Sequence, residues 1–216
     1  MKNTLQNRLL LIKTKKAIIL FIVFLSTVNV QAQLQSALPL DAYGVWDRSP
    51  VSLDDDTYLH LFKGLQLGYA WSDIEPVNDA YDWRLLDQEI QFAYDNNLYC
   101  YISVNPGPDC PDWVYNTVPT LLTDGDSYNG KYPYYYHEDY ISHYYDMITK
   151  LANHIASLDA GVREKIAFLQ VKTGSTGDEK PVGGNFLPES PYEIYIQDTE
   201  WQNFRIAAFQ HHKEAF

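Results

Sequence analysis

The sequence has 216 residues, of which 46% are hydrophobic, and its formal net charge is −12. This acidic balance argues against nucleic acid or an anionic membrane surface as a partner, because both would repel the chain. The length fits one domain, and no low-complexity stretch or block of charge marks a linker.

The N-terminal segment 1–32 has the features of a secretory signal peptide. It contains five of the 16 basic residues and none of the 28 acidic ones. Its apolar run from Ala17 to Leu25 is followed by the small residues Val30 and Ala32, which predict cleavage after Ala32. The run turns polar too early to span a bilayer, which takes about 20 apolar residues. We therefore expect residues 33–216 to be secreted or periplasmic, without membrane association once the signal is removed.

Four strand–helix units are predicted in chain order after the signal peptide. The predicted strands are Ala42–Trp46, Leu67–Trp71, Leu98–Val104 and Lys165–Lys172, and the predicted helices are Asp55–Lys63, Asp82–Asn96, Glu138–Ser157 and Thr199–Ala215. A long aromatic loop is expected between the third strand and the third helix. Such alternation is typical of a parallel sheet covered by helices. It leaves open whether the sheet is doubly wound or part of a closed barrel, which takes about 250 residues.

The stretch WSDIEPVNDAYDWRLLD, residues Trp71 to Asp87, resembles the second strand–helix unit of clan A glycoside hydrolases. The likeness is greatest to the β-galactosidase-like enzymes, in which Trp, an aliphatic residue, Glu-Pro, Tyr-Asp-Trp and Leu-Asp follow at this spacing. The stretch PDWVY, Pro111 to Tyr115, adds the Pro-x-Trp sequence that is common after the third strand of these enzymes. The resemblance covers roughly Tyr43 to Gly184.

The resemblance implies an α/β fold of the (β/α)8 TIM-barrel type, with about the first four β/α units present in residues 33–216. It implies an enzyme that hydrolyses β-linked oligo- or polysaccharides, with galactoside-type units as the expected sugar and no cofactor. It also implies a retaining mechanism, in which an acid and a nucleophilic carboxylate stand about 5–5.5 Å apart. In this clan the acid follows strand four and the nucleophile strand seven, so the nucleophile is expected beyond Phe216.

The loop after the fourth predicted strand, LQVKTGSTGDEKPVGG, is where the resemblance places the acid. No carboxylate stands at the position of the Asn-Glu pair of the family, and carboxylates come only later, at Asp178 and Glu179. Glu179 is the first candidate for the acid and Asp178 the second, with a purely structural loop as the alternative. A phosphate-binding loop is disfavoured, because the pattern lacks the required Gly-Lys-Ser/Thr and two carboxylates would repel an anion.

Six residues are expected to contact substrate under this resemblance. They are Trp46, Trp71, Glu75, Asn105, Trp113 and Lys172. A core position is the alternative for Trp71, and a bond to loop backbone is the alternative for Glu75. Tyr134 and Tyr135 either join Trp113 in a wall that stacks on sugar rings or pack in the interior. Tyr144 and Tyr145 are expected to pack their helix on the sheet.

No metal site is expected, because His211 and His212 are adjacent on a helix and no third ligand is spaced to join them. Cys100 and Cys110 are expected to be unpaired, since they are ten positions apart, a stretch that would span roughly 33 Å if extended. Two alternatives to an active glycosidase remain open. One is a catalytically inactive, carbohydrate-binding barrel relative, and the other is an unrelated α/β protein, for which a strand order of 2-1-3-4 would be evidence.

Overall fold

The computed structural model describes residues 38–48, 58–124, 130–175, 180–188 and 196–216, which lie in one compact unit. In these ranges the strands are β1 Trp46–Asp47, β2 Gly64–Ala70, β3 Tyr99–Asn105, β4 Thr120–Leu122, β5 Lys131–Pro133 and β6 Ile166–Gln170. The α-helices are α1 Trp71–Ile74, α2 Arg84–Asp95, α3 Glu138–Ser157, α4 Ala160–Arg163 and α5 Asp198–Ala215. Short 3-10 helices cover Leu40–Ala42, Leu59–Leu61 and Asp112–Asn116. The predicted signal peptide lies outside the described residues.

Four of the described strands form a parallel sheet in the order β1-β2-β3-β6, which is their order along the chain. Strands β2 and β3 pair over their whole length, from Gly64 opposite Tyr99 to Ala70 opposite Asn105. Because parallel crossovers are right-handed in about 98% of cases, strands added in chain order place their helices on the same face of the sheet. A doubly wound sheet reverses direction at a switch point. The described strands show no such reversal.

The two faces of this sheet differ in chemistry. The side chains that face the helices are buried and mainly apolar, namely Leu65, Leu67, Tyr69, Cys100, Ile102 and Val104. The other face carries Gln66, Gly68 and Ser103 in its middle. Level with Gln66, the rings of Tyr101 and Phe168 stack on each other and pack against Trp46 from the amino end, with ring centroids 4.7–5.8 Å apart. In the described part of the chain the helices therefore cover the apolar face, and the other face presents a polar middle beside an aromatic cluster.

Helix α3 has the bounds that the apolar spacing predicts, Glu138 to Ser157. Seven residues on one side of it are buried: Tyr140, Tyr144, Met147, Ile148, Leu151, Ala152 and Ile155. Helix α5 begins one residue earlier than predicted, and α2 lies inside its predicted range. None of the helices in the described part of the chain is both long enough and apolar enough to cross a bilayer.

Three parts of the predicted element order are wrong. Among the described residues 58–63, the helix predicted over Asp55–Lys63 is only a 3-10 turn, Leu59–Leu61. The strand predicted over Ala42–Trp46 begins only at Trp46, because the N–H of Ala42 donates to the carbonyl of Pro39 and closes a 3-10 turn. The loop expected between β3 and α3 contains an antiparallel hairpin of β4 and β5. Both cysteines are buried and free, which confirms that they are unpaired.

His212 on α5 is a buried histidine that makes the fold sensitive to mild acid. Its side chain is packed against the ring of Tyr144 on α3, and its Nδ1–H donates to the carbonyl of Ala208 at 2.8 Å. The pKa of His212 is lowered to about 4, mainly by burial; the hydrogen bond to Ala208 opposes this shift, and the neighbouring His211 adds a smaller lowering effect. The folded protein therefore holds this ring neutral at pH values where an unfolded chain would protonate it.

We expect the free energy of unfolding to fall as pH drops from about 6.5 to 4, because the unfolded chain then binds a proton that the folded chain does not. A pKa lowered to about 4 corresponds to a loss of up to about 3 kcal/mol over this window. Urea unfolding of wild type and His212→Phe at several pH values measures this loss. It is the difference between the two proteins in how steeply the free energy of unfolding falls with decreasing pH. His60→Phe, at an exposed position, is the matched control. If His212→Phe loses as much stability in acid as His60→Phe does, then His212 is not the source of the acid sensitivity.

Candidate functional site

The carboxyl ends of β3 and β6 bring two loops into direct contact. A Cβ atom added to Gly107, in the loop after β3, would lie 2.4 Å from the carbonyl oxygen of Gly174, in the loop after β6. A Cβ added to Gly174 would lie 2.0 Å from the carbonyl oxygen of Lys180. Both glycines are therefore required by the close approach of backbone to backbone. The two loops form one continuous rim at the end of the sheet where parallel-sheet proteins bind ligands.

Four polar residues meet at this rim, and we call them the strand-end cluster: Asn105, Lys172, Asp109 and Asp73. The ammonium group of Lys172 donates to Oδ1 of Asn105 at 2.8 Å. Partial burial raises the pKa of the Asp109 carboxyl and Asp73 adds to this effect, whereas a hydrogen bond from Asn105 and the charge of Lys172 act against it. An amide, a cation and carboxylates that converge in this way can bind the hydroxyl groups of a polar ligand.

The structure brings together two of the predicted substrate-binding residues, Asn105 and Lys172. Asp109 and Asp73 were not predicted from the sequence. Asp109 lies in a proline-rich stretch just after β3. Its position soon after a predicted strand is the sequence feature that could have identified it as a site residue. Asp73 lies in α1, which the sequence pattern does not separate from the preceding strand.

Trp71 and Glu75 are buried, with 0% and 2% of their surfaces exposed. The indole N–H of Trp71 donates to Oε2 of Glu75 at 2.7 Å. The other carboxylate oxygen accepts the backbone N–H of Asp79 at 3.0 Å, where the backbone has a positive φ of 60°. The geometry therefore supports the alternatives left open from the sequence, a core position for Trp71 and a bond to loop backbone for Glu75.

Trp113 extends this buried arrangement towards the loop after β3. Its indole N–H donates to the carbonyl of Glu75 at 3.0 Å, and its ring meets the ring of Trp71 edge-on at 6.0 Å. It also packs edge-on against His143 on α3, with the ring centroids 4.9 Å apart. The indole N–H of Trp113 is thus used to hold two loops together, while its side chain stays partly exposed.

Trp46 lies at the other end of the sheet from the strand-end cluster. Strand β1 pairs only with Gly64 and Leu65, the first residues of β2. A Cβ atom on Gly64 would lie 2.3 Å from the Trp46 ring, so the indole rests directly on that glycine. Its N–H donates to the carbonyl of Ala42 at 3.2 Å. The structure therefore does not bring Trp46 together with Asn105 and Lys172.

The tyrosines between Tyr132 and Tyr144 hold the two rim loops in place. Three of them donate hydroxyl hydrogen bonds to loop carbonyls: Tyr140 to Pro106 at 3.0 Å, Tyr144 to Lys172 at 2.7 Å and Tyr135 to Pro181 at 2.7 Å. A fourth, Tyr132, accepts the N–H of Gly183 at 3.0 Å. Tyr135 is fully buried, so it packs in the interior and does not belong to a sugar-stacking wall. Tyr144 is also buried and packs its helix as predicted.

The loop after β6 is fixed on both sides of residues 176–179. The N–H of Ser175 donates to the carbonyl of Lys180 at 3.0 Å. Further along, Asn185 pairs with Asp124 at the end of the β4–β5 hairpin, through backbone and side-chain hydrogen bonds. The candidate acids Glu179 and Asp178 lie outside the described residues. The N–H groups of Ser175 and Gly183 are used inside the protein, which disfavours a phosphate cradle here.

Metal binding finds no support in the described ranges, where no three histidines, cysteines or carboxylates come together in a set that could hold an ion. His211 stacks on Tyr145 with 4.2 Å between the ring centroids, while His212 is buried beside Tyr144. The two histidines thus face different surroundings, as expected from their adjacent positions on a helix.

Residues 62–163 match the family model of glycoside hydrolase family 42, which is described as Beta-galactosidase. The matched segment contains the Trp71–Asp87 motif, strands β2 and β3, and both Asn105 and Asp109. This match confirms the resemblance of the sequence to the β-galactosidase-like glycoside hydrolases of clan A. No curated protein matches the sequence.

Three solved structures are similar to parts of this chain. The β-galactosidase of the psychrophilic Marinomonas ef1 has a TM-score of 0.45 and 16% identity, over 62% of this chain and 22% of that one. The cold-adapted β-galactosidase of Rahnella sp. R3 has a TM-score of 0.43 and 17% identity, over 65% and 23%. Xylanase B of Clostridium stercorarium F9 has a TM-score of 0.46 and 16% identity, over 80% and 48%. The chain thus spans about a fifth to a half of these proteins.

Proposed function

We propose that this protein is a glycoside hydrolase that acts on β-linked glycans, with galactoside-type units as its substrate. The family match over residues 62–163 carries this proposal, because it falls on the segment that builds the rim with Asn105 and Asp109. Sugar hydroxyls are recognised by convergent amide, ammonium and carboxylate groups, which is the chemistry of the strand-end cluster. The acidic chain of net charge −12 suits a neutral substrate better than a polyanion.

The proposed architecture is a TIM barrel to which residues 33–216 contribute about four β/α units. The parallel order β1-β2-β3-β6 supports it, as does the position of the helices on one face of the sheet. In such barrels the ligand binds at the carboxyl ends of the strands. The strand-end cluster lies there. The proposed export of the protein rests on the signal-peptide pattern of residues 1–32.

The proposed mechanism is a retaining double displacement. Glu179, with Asp178 as second candidate, donates a proton to the glycosidic oxygen while the bond from that oxygen to the anomeric carbon breaks. A second carboxylate bonds to the anomeric carbon, and water then displaces it after losing a proton to the same acid. One observation supports this role for Glu179. The backbone of Lys180, the next residue in the chain, accepts a hydrogen bond from the N–H of Ser175, which is three positions after Lys172 of the strand-end cluster. We assign no nucleophile among the described residues.

Hydrolysis of p-nitrophenyl β-D-galactopyranoside tests this function directly. With the nucleophilic carboxylate supplied, we expect release of nitrophenol with retention at the anomeric carbon, which proton NMR of the first product shows. Replacing Lys172 by Met is expected to lower kcat/KM at least about tenfold, since a hydrogen bond to a charged group is worth about 1.5–3 kcal/mol. Lys63, exposed at the amino end of β2, provides the matched Lys63→Met control.

Two outcomes would contradict an active hydrolase. Glycan binding without hydrolysis of any β-glycoside would favour a catalytically inactive carbohydrate-binding relative, for which the missing Asn-Glu pair after β6 is the motivating observation. Absence of both binding and hydrolysis would exclude both functions. Inversion at the anomeric carbon would leave a hydrolase but reject the retaining mechanism.

A further inference from the structure

A groove runs between the first halves of α3 and α5, and its volume is about 330 Å³. Its walls include the rings of Tyr134, Tyr136, Tyr145 and Phe204, together with the polar side chains of Glu200 and Asn203. Cavities that hold small molecules measure about 300–1,000 Å³, so the groove is large enough for one. The groove adjoins the rim, because Tyr135, between two of its wall residues, donates to Pro181 in the loop after β6.

The wall combines aromatic surface with a few polar groups. Tyr134 and Tyr136 meet edge-on, with ring centroids 5.7 Å apart and planes at 75°, so they offer two differently oriented surfaces. Glu200 and Asn203 lie one turn apart on α5 and are both exposed. Aromatic rings pack well on apolar C–H surface, while a carboxylate and an amide bind hydroxyl groups. This combination fits a ligand that has apolar C–H faces and hydroxyl edges.

One polar atom of the wall lacks a partner. The hydroxyl of Tyr136 is buried and makes no hydrogen bond within the described part of the chain. Burial raises the pKa of Tyr136, and the charge of Glu200 is the next cause, which shows that the two side chains are close. A buried polar atom without a partner costs about 1–3 kcal/mol. A ligand or water that reaches this hydroxyl would recover part of that cost.

Other ligand classes fit the groove less well. Among the described residues, no lysine or arginine lines it, and Glu200 would repel an anion. A purely apolar ligand would leave the exposed carboxylate and amide at its edge without new partners. We propose that the groove between α3 and α5 binds a carbohydrate chain of β-linked pyranose units, stacked on the tyrosine rings and held by Glu200 and Asn203. The choice of sugar class in this inference rests on the proposed function.

Isothermal titration calorimetry of the whole chain with β-1,4-galactotetraose, xylotetraose and cellotetraose tests the groove. We expect binding of at least one of them, weakened about tenfold by Asn203→Ala and by Glu200→Ala, as the loss of a hydrogen bond predicts. Ala207→Trp, which places an indole in the groove, is expected to abolish this binding. Gln202→Ala, exposed on the same helix but outside the groove, is the matched control and should bind as wild type.

The outcomes separate this inference from the proposed function. Loss of binding in the groove variants, with unchanged hydrolysis of p-nitrophenyl β-D-galactopyranoside, supports the groove, and it does so equally if the protein hydrolyses nothing. The inference is overturned if wild type binds none of the three sugars, or if binding is lost only in Lys172→Met. A change of molar mass of Ala207→Trp in light scattering would instead identify a protein interface. Thermal melting checks folding, and the two exposed α5 variants carry the test if Ala207→Trp is unstable.

Discussion

Replacing Glu179 by Gln is expected to lower the hydrolysis of an unactivated β-galactoside by about 10²–10⁴-fold, the contribution of a general acid. The amide has nearly the same shape but has no acidic proton to give to the leaving oxygen. An aryl glycoside with an acidic leaving phenol needs no such proton, so its first bond cleavage should change far less. The measurement is the ratio of kcat/KM for methyl β-D-galactopyranoside and 2,4-dinitrophenyl β-D-galactopyranoside in the variant and in wild type.

Asp178→Asn is the matched control, since it removes the neighbouring carboxylate and leaves Glu179. We expect it to keep most of the activity on both substrates. An equal loss on both substrates in Glu179→Gln would show a structural or binding role instead of proton donation. If Asp178→Asn shows the leaving-group dependence and Glu179→Gln does not, then Asp178 is the acid.

The second large effect is expected for Trp71→Ala, which should lower the free energy of unfolding by about 3–5 kcal/mol. The indole has no exposed surface, contacts the rings of Trp113 and Tyr140, and donates to the buried carboxylate of Glu75. Removing it leaves a cavity and takes a hydrogen bond from that carboxylate. Urea unfolding, followed by circular dichroism, measures the change, and Leu85→Ala at an exposed position of α2 should change it little.

Trp71→Phe separates packing from the hydrogen bond in a protein that is expected to remain folded. It keeps an aromatic ring among Trp113 and Tyr140 but has no N–H for Glu75, so we expect an intermediate loss of stability. A Trp71→Phe protein of wild-type stability that has lost sugar binding would contradict the structural role. It would return Trp71 to the group of substrate-binding residues.

Much of the fold could be predicted because its elements carry strong local patterns. The continuous apolar run of β3 and the helical spacing of α3 both reflect burial in one core, and both elements were found close to their predicted bounds. The β4–β5 hairpin was missed because its two strands have three residues each, too few to show an alternating pattern. The order of the strands in the sheet depends on long-range pairing, which no local pattern reveals.

The candidate site was harder to predict than the fold. An aromatic residue at a strand end reads the same in sequence whether its ring faces a cleft or the core, so Trp71 and Trp46 were grouped with Asn105. Only the structure shows that Trp71 is buried and that Trp46 lies at the opposite end of the sheet. Asn105 and Lys172 are 67 positions apart in sequence, and their contact follows from the pairing of β3 with β6.

The contact between Gly107 and Gly174 limits how this rim can be re-engineered. Since a side chain on Gly107 would collide with the backbone of Gly174, neither loop can be lengthened or exchanged at this point without displacing the other. A loop transplanted alone from a relative of different specificity should therefore fail, even if its own residues are suitable. Exchange of the two loops as a matched pair, with the tyrosines that anchor them, is the smallest graft that keeps the rim intact.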